Sequence, residues 1–301
     1  MHKFYSNGKL LLTAEYVVLD GAKALALPVK FGQELRVEKI QDPVLKWRSY
    51  KKNGKIWFSC NFKLKDLSFT EETDQLTALT LQNILKETRV LNPGFLHPTQ
   101  GSLVETFLNF PRDWGLGTSS TLINNIAQWA RVNPYTLLYK SFGGSGYDIA
   151  CAQHDFPILF QKKEEEPLVE EVNFNPDFKD QLFFVFLNKK QISSKEIKKY
   201  KAEKKDLRPV VEKIDILTEE MITCKKLNDF EKILATHEEI IASVIKREPV
   251  QKKLFPDYFG QTKSLGAWGG DFILATGNED TPEYFIKKGY PTLLPYKKMI
   301  L

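Results

Sequence analysis

A chain of 301 residues, 42% of them hydrophobic and 27% charged, is long enough for one large domain or two ordinary ones, and its composition excludes wholesale disorder. A formal net charge of +5 suits an anionic small molecule and falls short of the strongly basic profile of a dedicated nucleic-acid binder. Three dispersed cysteines (Cys60, Cys151, Cys224) and four dispersed histidines show neither disulfide nor zinc spacing, no run reaches the ~18 apolar residues of a membrane span, and the first residues lack a signal-peptide layout. A reducing cytoplasm is therefore the expected compartment, with no nucleic-acid or membrane partner.

The N-terminal half reads mainly as strands. Residues 10–12 and 16–19 are short apolar runs, and Asp20-Gly21 is a turn signal. Residues 34–40 read as a strand. Residues 45–50 and 55–62 read as a hairpin around Asn53-Gly54, with both central turn positions at φ > 0. The spacing of Leu76, Leu79, Ile84 and Leu85 predicts a helix over 73–89 that Asn92-Pro93-Gly94 stops. A strand over 102–110 then leads into Pro111-Arg112-Asp113-Trp114-Gly115-Leu116-Gly117-Thr118-Ser119-Ser120-Thr121.

Beyond this loop, Leu122, Ile123, Ile126, Ala127 and Ala130 recur at helical spacing, and Asn133-Pro134 ends that helix and starts another. A second glycine cluster, Gly143-Gly144-Ser145-Gly146-Tyr147-Asp148, precedes strands near 157–160 and 169–174. Residues 181–187 read as a fully buried strand. The lysine-rich run 195–205 reads as a solvated helix face. Amphipathic helices follow over 206–226 and 229–246. A third glycine cluster, Gly266-Ala267-Trp268-Gly269-Gly270-Asp271, enters a strand over 272–275. Clustered strands with flanking helices, without strict βαβ alternation, give an α+β fold class.

The first glycine loop has two readings. Glycines permit φ > 0 and close approach to an anion, and a following helix offers unpaired N–H groups, which together make a phosphate cradle. The same hydroxyls also make ordinary helix caps. The spacing matches neither a Walker A loop nor a Rossmann fingerprint. Asp148 can take a proton from a hydroxyl or cap a short helix, and Lys9 can offset phosphate charge or simply face solvent. His237 lies on the apolar face of its helix and reads as a packed, hydrogen-bonded histidine. Trp268 either stacks on a ligand or plugs its loop.

These pieces occur in an order that resembles the GHMP small-molecule kinase superfamily. Gly8-Lys9, Glu15-Tyr16, Gly21 and Ala24-Leu25 are similar to the family's Pro-Gly-Lys…Gly-Glu-His/Tyr opening. The 111–121 loop is similar to Pro-x3-Gly-Leu-Gly-Ser-Ser-Ala, and 266–271 to the late Gly-Ala-Gly-x-Gly-Gly segment. Within the phosphomevalonate and mevalonate kinase branch, Glu15-Tyr16, the 144–148 cluster, Gly269-Gly270-Asp271 and Ser193-Ser194-Lys195-Glu196 are more similar to phosphomevalonate kinase.

The resemblance implies a two-domain α+β fold, with domains over 1–175 and 176–301 and the active site in the cleft between them. It implies an ATP- and Mg2+-dependent phosphotransferase acting on a small anionic acceptor of the mevalonate pathway, in isoprenoid biosynthesis, as a monomer or homodimer. Lys9 and Asp148 would be catalytic. Pro111, Gly115, Leu116, Gly117, Thr118, Ser119 and Ser120 would hold the nucleotide, with Ser119 or Ser120 on the metal. Glu15, Tyr16, Ser145, Gly146, Tyr147, Ser194, Gly269, Gly270 and Asp271 would meet the substrate. The chain departs from the pattern at Ser6-Asn7 (Ala-Pro in the family), Ala14 and Trp268 (glycines), Thr118 (serine) and Thr121 (alanine). Residues 135–142 lack the magnesium-binding glutamate of mevalonate kinase. A non-catalytic nucleotide binder and a diphosphomevalonate decarboxylase-like enzyme are the alternatives.

Overall fold

The structure, a computed structural model, describes residues 1–191, 193–202 and 206–301, with the side chains of Ser193 and Ser194 outside the description. In chain order the first half runs β1 (His2–Leu11), β2 (Ala24–Ile40), β3 (Val44–Tyr50), β4 (Ile56–Lys63), β5 (Phe69–Thr70), α1 (Gln75–Leu91), β6 (Gly101–Leu108), α2 (Thr118–Ala130), α3 (Pro134–Ser141) and α4 (Tyr147–Gln153). The second half runs β7 (Ile158–Gln161), β8 (Leu168–Glu171), β9 (Leu182–Phe186), α5 (Ser193–Ala202), α6 (Arg208–Thr223), α7 (Leu227–Ile245), α8 (Val250–Leu254), β10 (Thr262–Ser264), β11 (Phe272–Thr276), α9 (Thr281–Lys287), β12 (Leu293–Pro295) and α10 (Tyr296–Met299).

The chain divides into two compact units, each assembled from separate segments. The first comprises Met1–Gly8, Phe31–Arg112 and Leu116–Gln153, and the second Lys9–Lys30, Asp113–Gly115 and His154–Leu301. Strand β2 contributes residues to both.

In the first unit the strand order is β5-β4-β3-β6-β2, with β3 and β6 parallel and the other neighbours antiparallel. Alternate residues of β3 and β4 (Leu45, Trp47; Phe58, Cys60, Phe62) turn to one face and bury against Leu81, Ile84 and Leu85 of α1 and Ile123 and Ile126 of α2. Helix α1 starts where Asp74 accepts the Thr77 N–H at 2.7 Å and ends before Pro93. Asn133 caps α3 in the same way, accepting from the Thr136 N–H.

The β3–β4 hairpin forms where expected, but its turn differs. Gly54 has positive φ and Asn53 does not. The Gly54 N–H donates to the Lys51 carbonyl, and the Lys51 N–H to the Lys55 carbonyl. This is a three-residue loop closed by a left-handed glycine, which suits the twist of the strands as well as a primed turn does.

Behind α2 lies a buried polar network. Ser6 Oγ of β1 donates to Asn125 Oδ1 at 2.8 Å and accepts from Asn124 Nδ2 at 2.9 Å. Asn125 Nδ2 donates to the Gln33 carbonyl, and Thr121 Oγ1 to Gln33 Oε1, both at 2.9 Å. Ser6 and Thr121, two of the departures from the family pattern, thus act together to fix α2 against β1 and β2.

In the second unit, residues 24–26 of β2 pair antiparallel with β7, and β7 with β8. A separate antiparallel sheet has the order β10-β11-β9-β12. Every residue of β9 is buried, as its unbroken apolar run predicts for a strand covered on both faces. Helices α6 and α7 pack on each other, and α7 packs on β10. Residues 17–20 form a 3-10 turn rather than a strand. Ala14 and Tyr16, at φ of 63° and 66°, swing the chain out of the extended region, so the apolar run curls inward and buries Val17 and Val18.

Ser6→Ala leaves two buried asparagine groups short of a partner. The expected loss is about 1–3 kcal/mol, read as a lower urea midpoint at unchanged slope.

Candidate functional site

Three motif segments far apart in sequence converge on Gly115 in the second unit. Lys9, at the inner end of β1, donates from Nζ to the Gly115 carbonyl at 2.9 Å. Asp271 approaches from the other side. Gly115 sits at φ of 69°, and a Cβ there would lie 2.2 Å from Asp271 Cγ, so only glycine permits the contact. Asp271 Oδ1 accepts the Gln191 N–H at 3.0 Å. Burial pushes the Asp271 carboxyl up from its usual range, Lys9 and Lys190 pull it back, and Asp113 adds to the upward push. Lys9, Lys190 and Asp113, from separate segments, thus all lie within electrostatic reach of Asp271.

The segment after Lys9 is anchored by buried charges. Glu15 and Lys263 are both fully buried and form an ion pair. Lys263 Nζ also donates to the Ser264 carbonyl at 2.9 Å. Glu238, on α7, accepts from the Ser264 N–H and Oγ and from the Val250 N–H. His237 Nε2 accepts the Ala14 N–H at 2.9 Å, as a packed, hydrogen-bonded histidine should, so the ring proton sits on Nδ1. Burial, then Lys263, holds His237 well below its usual pKa and therefore neutral. Burial raises the Glu15 carboxyl to about 7 even though Lys263 opposes the shift. Glu15 Oε2 and His237 Nδ1 find no hydrogen-bond partner among the described residues. In this conformation the Glu15 carboxylate meets Lys263 and has no exposed surface through which to meet a ligand. Its neighbour Tyr16 donates to the Ala267 carbonyl at 2.7 Å, joining the first motif to the third.

The third motif is filled rather than open. Trp268 is 2% exposed, stands at φ of 55°, and plugs its own loop. Its Nε1 has no partner among the described residues. Its carbonyl accepts from Gln191 Nε2 at 2.6 Å and Arg247 Nη1 at 3.2 Å. Gly269 is exposed. Gly270 must be glycine, since a Cβ there would lie 2.6 Å from the Lys189 carbonyl oxygen.

In the first unit, α2 begins at Gly117, which is left-handed (φ 93°) and supplies no side-chain cap. Two of the loop's hydroxyls bond away from the helix N-terminus. Ser120 Oγ donates to the Gly117 carbonyl at 2.9 Å, and Thr121 is committed to Gln33. The first-turn N–H groups of an uncapped helix are the donors a phosphate needs. Ser119 is exposed, Thr118 half-buried and Leu116 buried. Pro111, half-buried, precedes Arg112, whose guanidinium stacks 3.2 Å over the Trp57 ring centroid.

Asp148 and Tyr147 lie half-buried in the first turn of α4, which packs against α2. Tyr139 Oη donates to the Ser145 carbonyl at 3.0 Å. Burial raises the Tyr139 hydroxyl, and the charge of Asp148 adds to the shift. Gly146, at φ of 99°, passes under Tyr139 and Tyr135 too closely for a Cβ. The Ser194 side chain lies outside the described residues.

Among the described residues no group of three or more His, Cys, Asp or Glu could hold a metal, and no helix is long and apolar enough to cross a membrane. A magnesium ion that keeps waters and phosphate oxygens in its shell needs only one or two protein ligands. The exposed Ser119 hydroxyl fits that use better than Ser120, which is 2% exposed and bonded to Gly117. Arg247 and Lys263, central to these contacts, belong to no motif that the sequence offers.

No protein-family model and no curated protein matches the chain. Solved structures do. A Methanococcus jannaschii mevalonate kinase matches with a TM-score of 0.71 at 15% identity, over 97% of this chain and 96% of that one. A Streptococcus pneumoniae phosphomevalonate kinase, in complex with phosphomevalonate and AMPPNP, matches with 0.70 at 13% identity, over 98% and 99%. A Lactococcus lactis galactokinase complexed with galactose matches with 0.67 at 13% identity, over 97% and 92%.

Breaking the buried pair strands one charge. Glu15→Gln or Lys263→Met alone is expected to cost about 3–5 kcal/mol, and the double variant much less than the sum. The folded state keeps the Glu15 proton longer than the unfolded chain does, so wild-type stability falls as pH rises from 4.5 toward about 7. Glu15→Gln, which removes that carboxyl and keeps Lys263 beside Glu238, should flatten the slope, as read by urea titrations at stepped pH. Ala14→Gly relieves a left-handed alanine, and after the entropic cost of glycine a gain of up to about 1 kcal/mol is expected.

Proposed function

Because the chain has the α+β fold of the GHMP small-molecule kinases over nearly its whole length, we propose that it transfers the γ-phosphoryl group of ATP to a hydroxyl of a small anionic acceptor of the mevalonate-pathway type. The observation that carries this reading is the meeting of Lys9, Gly115 and Asp271. One residue from each of three distant motifs comes together at a single glycine.

In this reading the uncapped start of α2 and the 115–120 backbone receive the phosphates. Asp148 accepts the proton of the acceptor hydroxyl as its oxygen bonds to the γ-phosphorus, and the bond to the ADP oxygen breaks. Lys9 offsets the charge on the transferred group, and its bond to the Gly115 carbonyl holds it at the loop. Ser119, with the phosphates, would hold a magnesium ion, which would supply charge neutralisation there. Glu15 acts as a positioning residue that sets Tyr16. Little chemistry beyond placement and electrostatics is asked of the protein.

The filled third loop favours a second reading, a nucleotide binder without turnover, because Trp268 takes up space where the family has glycine. ATP binding without ADP release on any acceptor would select it, and carbon dioxide released with ADP would select a decarboxylase.

The test is ADP release with ATP, magnesium and, in separate runs, mevalonate, phosphomevalonate or galactose. Acceptor-dependent ADP is expected with an anionic acceptor, and its absence with all three contradicts the kinase reading. Asp148→Asn is expected to lower kcat by about 10²–10⁴-fold with ATP affinity retained.

A further inference from the structure

A narrow cleft in the second unit is lined by Tyr16, Glu196, Lys199, Tyr200 and Arg247, with Leu207 and Val244 as its apolar floor. Its free space is about 30 Å³, room for one or two waters. A ligand would therefore have to replace something already there. The group best suited to replacement is the Glu196 carboxylate, which pairs with Arg247.

The two partners are held very differently. Arg247 follows the end of α7, where Lys246 is left-handed and the Arg247 N–H returns to the Ala242 carbonyl. Its guanidinium also donates to the Trp268 carbonyl. The receiver is thus fixed at both ends. Glu196 sits on α5, a peripheral helix with exposed Lys195, Lys198, Lys199, Lys201 and Ala202. Glu196 and Tyr200 tie that helix to the rest of the unit, Tyr200 through its hydroxyl bond to Asp20 and its ring contact with Tyr16. With Glu196 turned away, a half-buried arginine would face the cleft beside Lys199 and the Tyr16 side chain. That set is suited to a carboxylate or phosphate. The Tyr16 hydroxyl already senses both charges. Burial raises it to about 12, Arg247 lowers it, and Glu196 raises it.

We propose that Glu196 stands in for an anionic group of the acceptor, and that a small-molecule carboxylate or phosphate takes its place on Arg247. The proposal rests on the kinase reading for the word acceptor and names a specificity-determining residue within it. It also explains why Arg247 holds the Trp268 carbonyl. That carbonyl is shared with Gln191, whose N–H fixes Asp271 against Gly115. An anion on Arg247 is therefore linked through Trp268, Gln191 and Asp271 to Gly115, whose carbonyl Lys9 bonds.

The test is calorimetry on the full chain without nucleotide, using mevalonate, phosphomevalonate, inorganic phosphate and neutral galactose as probes. Glu196→Gln removes the internal competitor. It should tighten binding of an anionic probe at least threefold and leave galactose unchanged, a gain that a purely structural ion pair would not give. Arg247→Met should weaken the same probe more than tenfold, with Arg247→Lys intermediate. Mevalonate against inorganic phosphate tells which oxyanion the cleft prefers. Unchanged or weaker anion binding in Glu196→Gln, anion binding that survives Arg247→Met, or no anionic probe binding Glu196→Gln overturns the proposal. Because no turnover is read, the pattern can hold while ADP release fails, or fail while ADP release succeeds, so the two claims fall separately.

Discussion

The ion pair between Glu15 and Lys263 is the constraint on which the second unit is organised. A charge moved out of water costs several kcal/mol, and only close pairing with further hydrogen bonds offsets it. Here the offsets define the architecture. Lys263 lies between Glu15 and Glu238, Glu238 takes three donors from β10 and the start of α8, and His237 takes the Ala14 N–H. The turn at residues 14–16, α7 and β10 are thereby locked to one another. Tyr16, held by that turn, closes on Ala267, and the loop that leaves β10 delivers Asp271 to Gly115.

Part of the chain's backbone strain lies along the same path. Ala14, Tyr16, Trp268 and Asp271 all hold left-handed dihedrals without being glycine. Each costs of order 1 kcal/mol or more and persists only where surrounding contacts over-determine it. The His237 bond to Ala14, the Tyr16 bond to Ala267, the two donors on the Trp268 carbonyl and the Gln191 bond to Asp271 are those contacts. At Ala14 and Trp268 the family pattern has glycine. Glycine would hold either conformation at lower cost, so the surrounding contacts have to maintain it.

Long periodic segments were legible in the sequence: α1, α2, α6, α7, the β3–β4 hairpin and the doubly covered β9. Each buries a repeating apolar face or an unbroken apolar run. The short elements of the C-terminal part, such as β10 and β12 with three residues each, carry no period to read. The run at 16–19 misled because apolarity cannot distinguish a strand from a turn buried by left-handed neighbours. At the site, the glycine clusters and Lys9 showed where backbone and charge come close. Glu15 was legible as a motif residue, but not its burial, because its partner Lys263 lies 248 residues away. Arg247 gave no signal at all, since an arginine after a helix end reads as solvated. Ser6 and Thr121, seen singly, were unexplained departures, and only the fold shows them meeting Asn124, Asn125 and Gln33.

We propose that these converging motifs serve phosphoryl transfer to a small acceptor. The most direct measurement is a ³¹P NMR time course of the protein with ATP, magnesium and either mevalonate or phosphomevalonate. A new phosphorus resonance on the acceptor that grows in step with ADP is expected. ATP that stays intact, or that yields only ADP and inorganic phosphate, would contradict it.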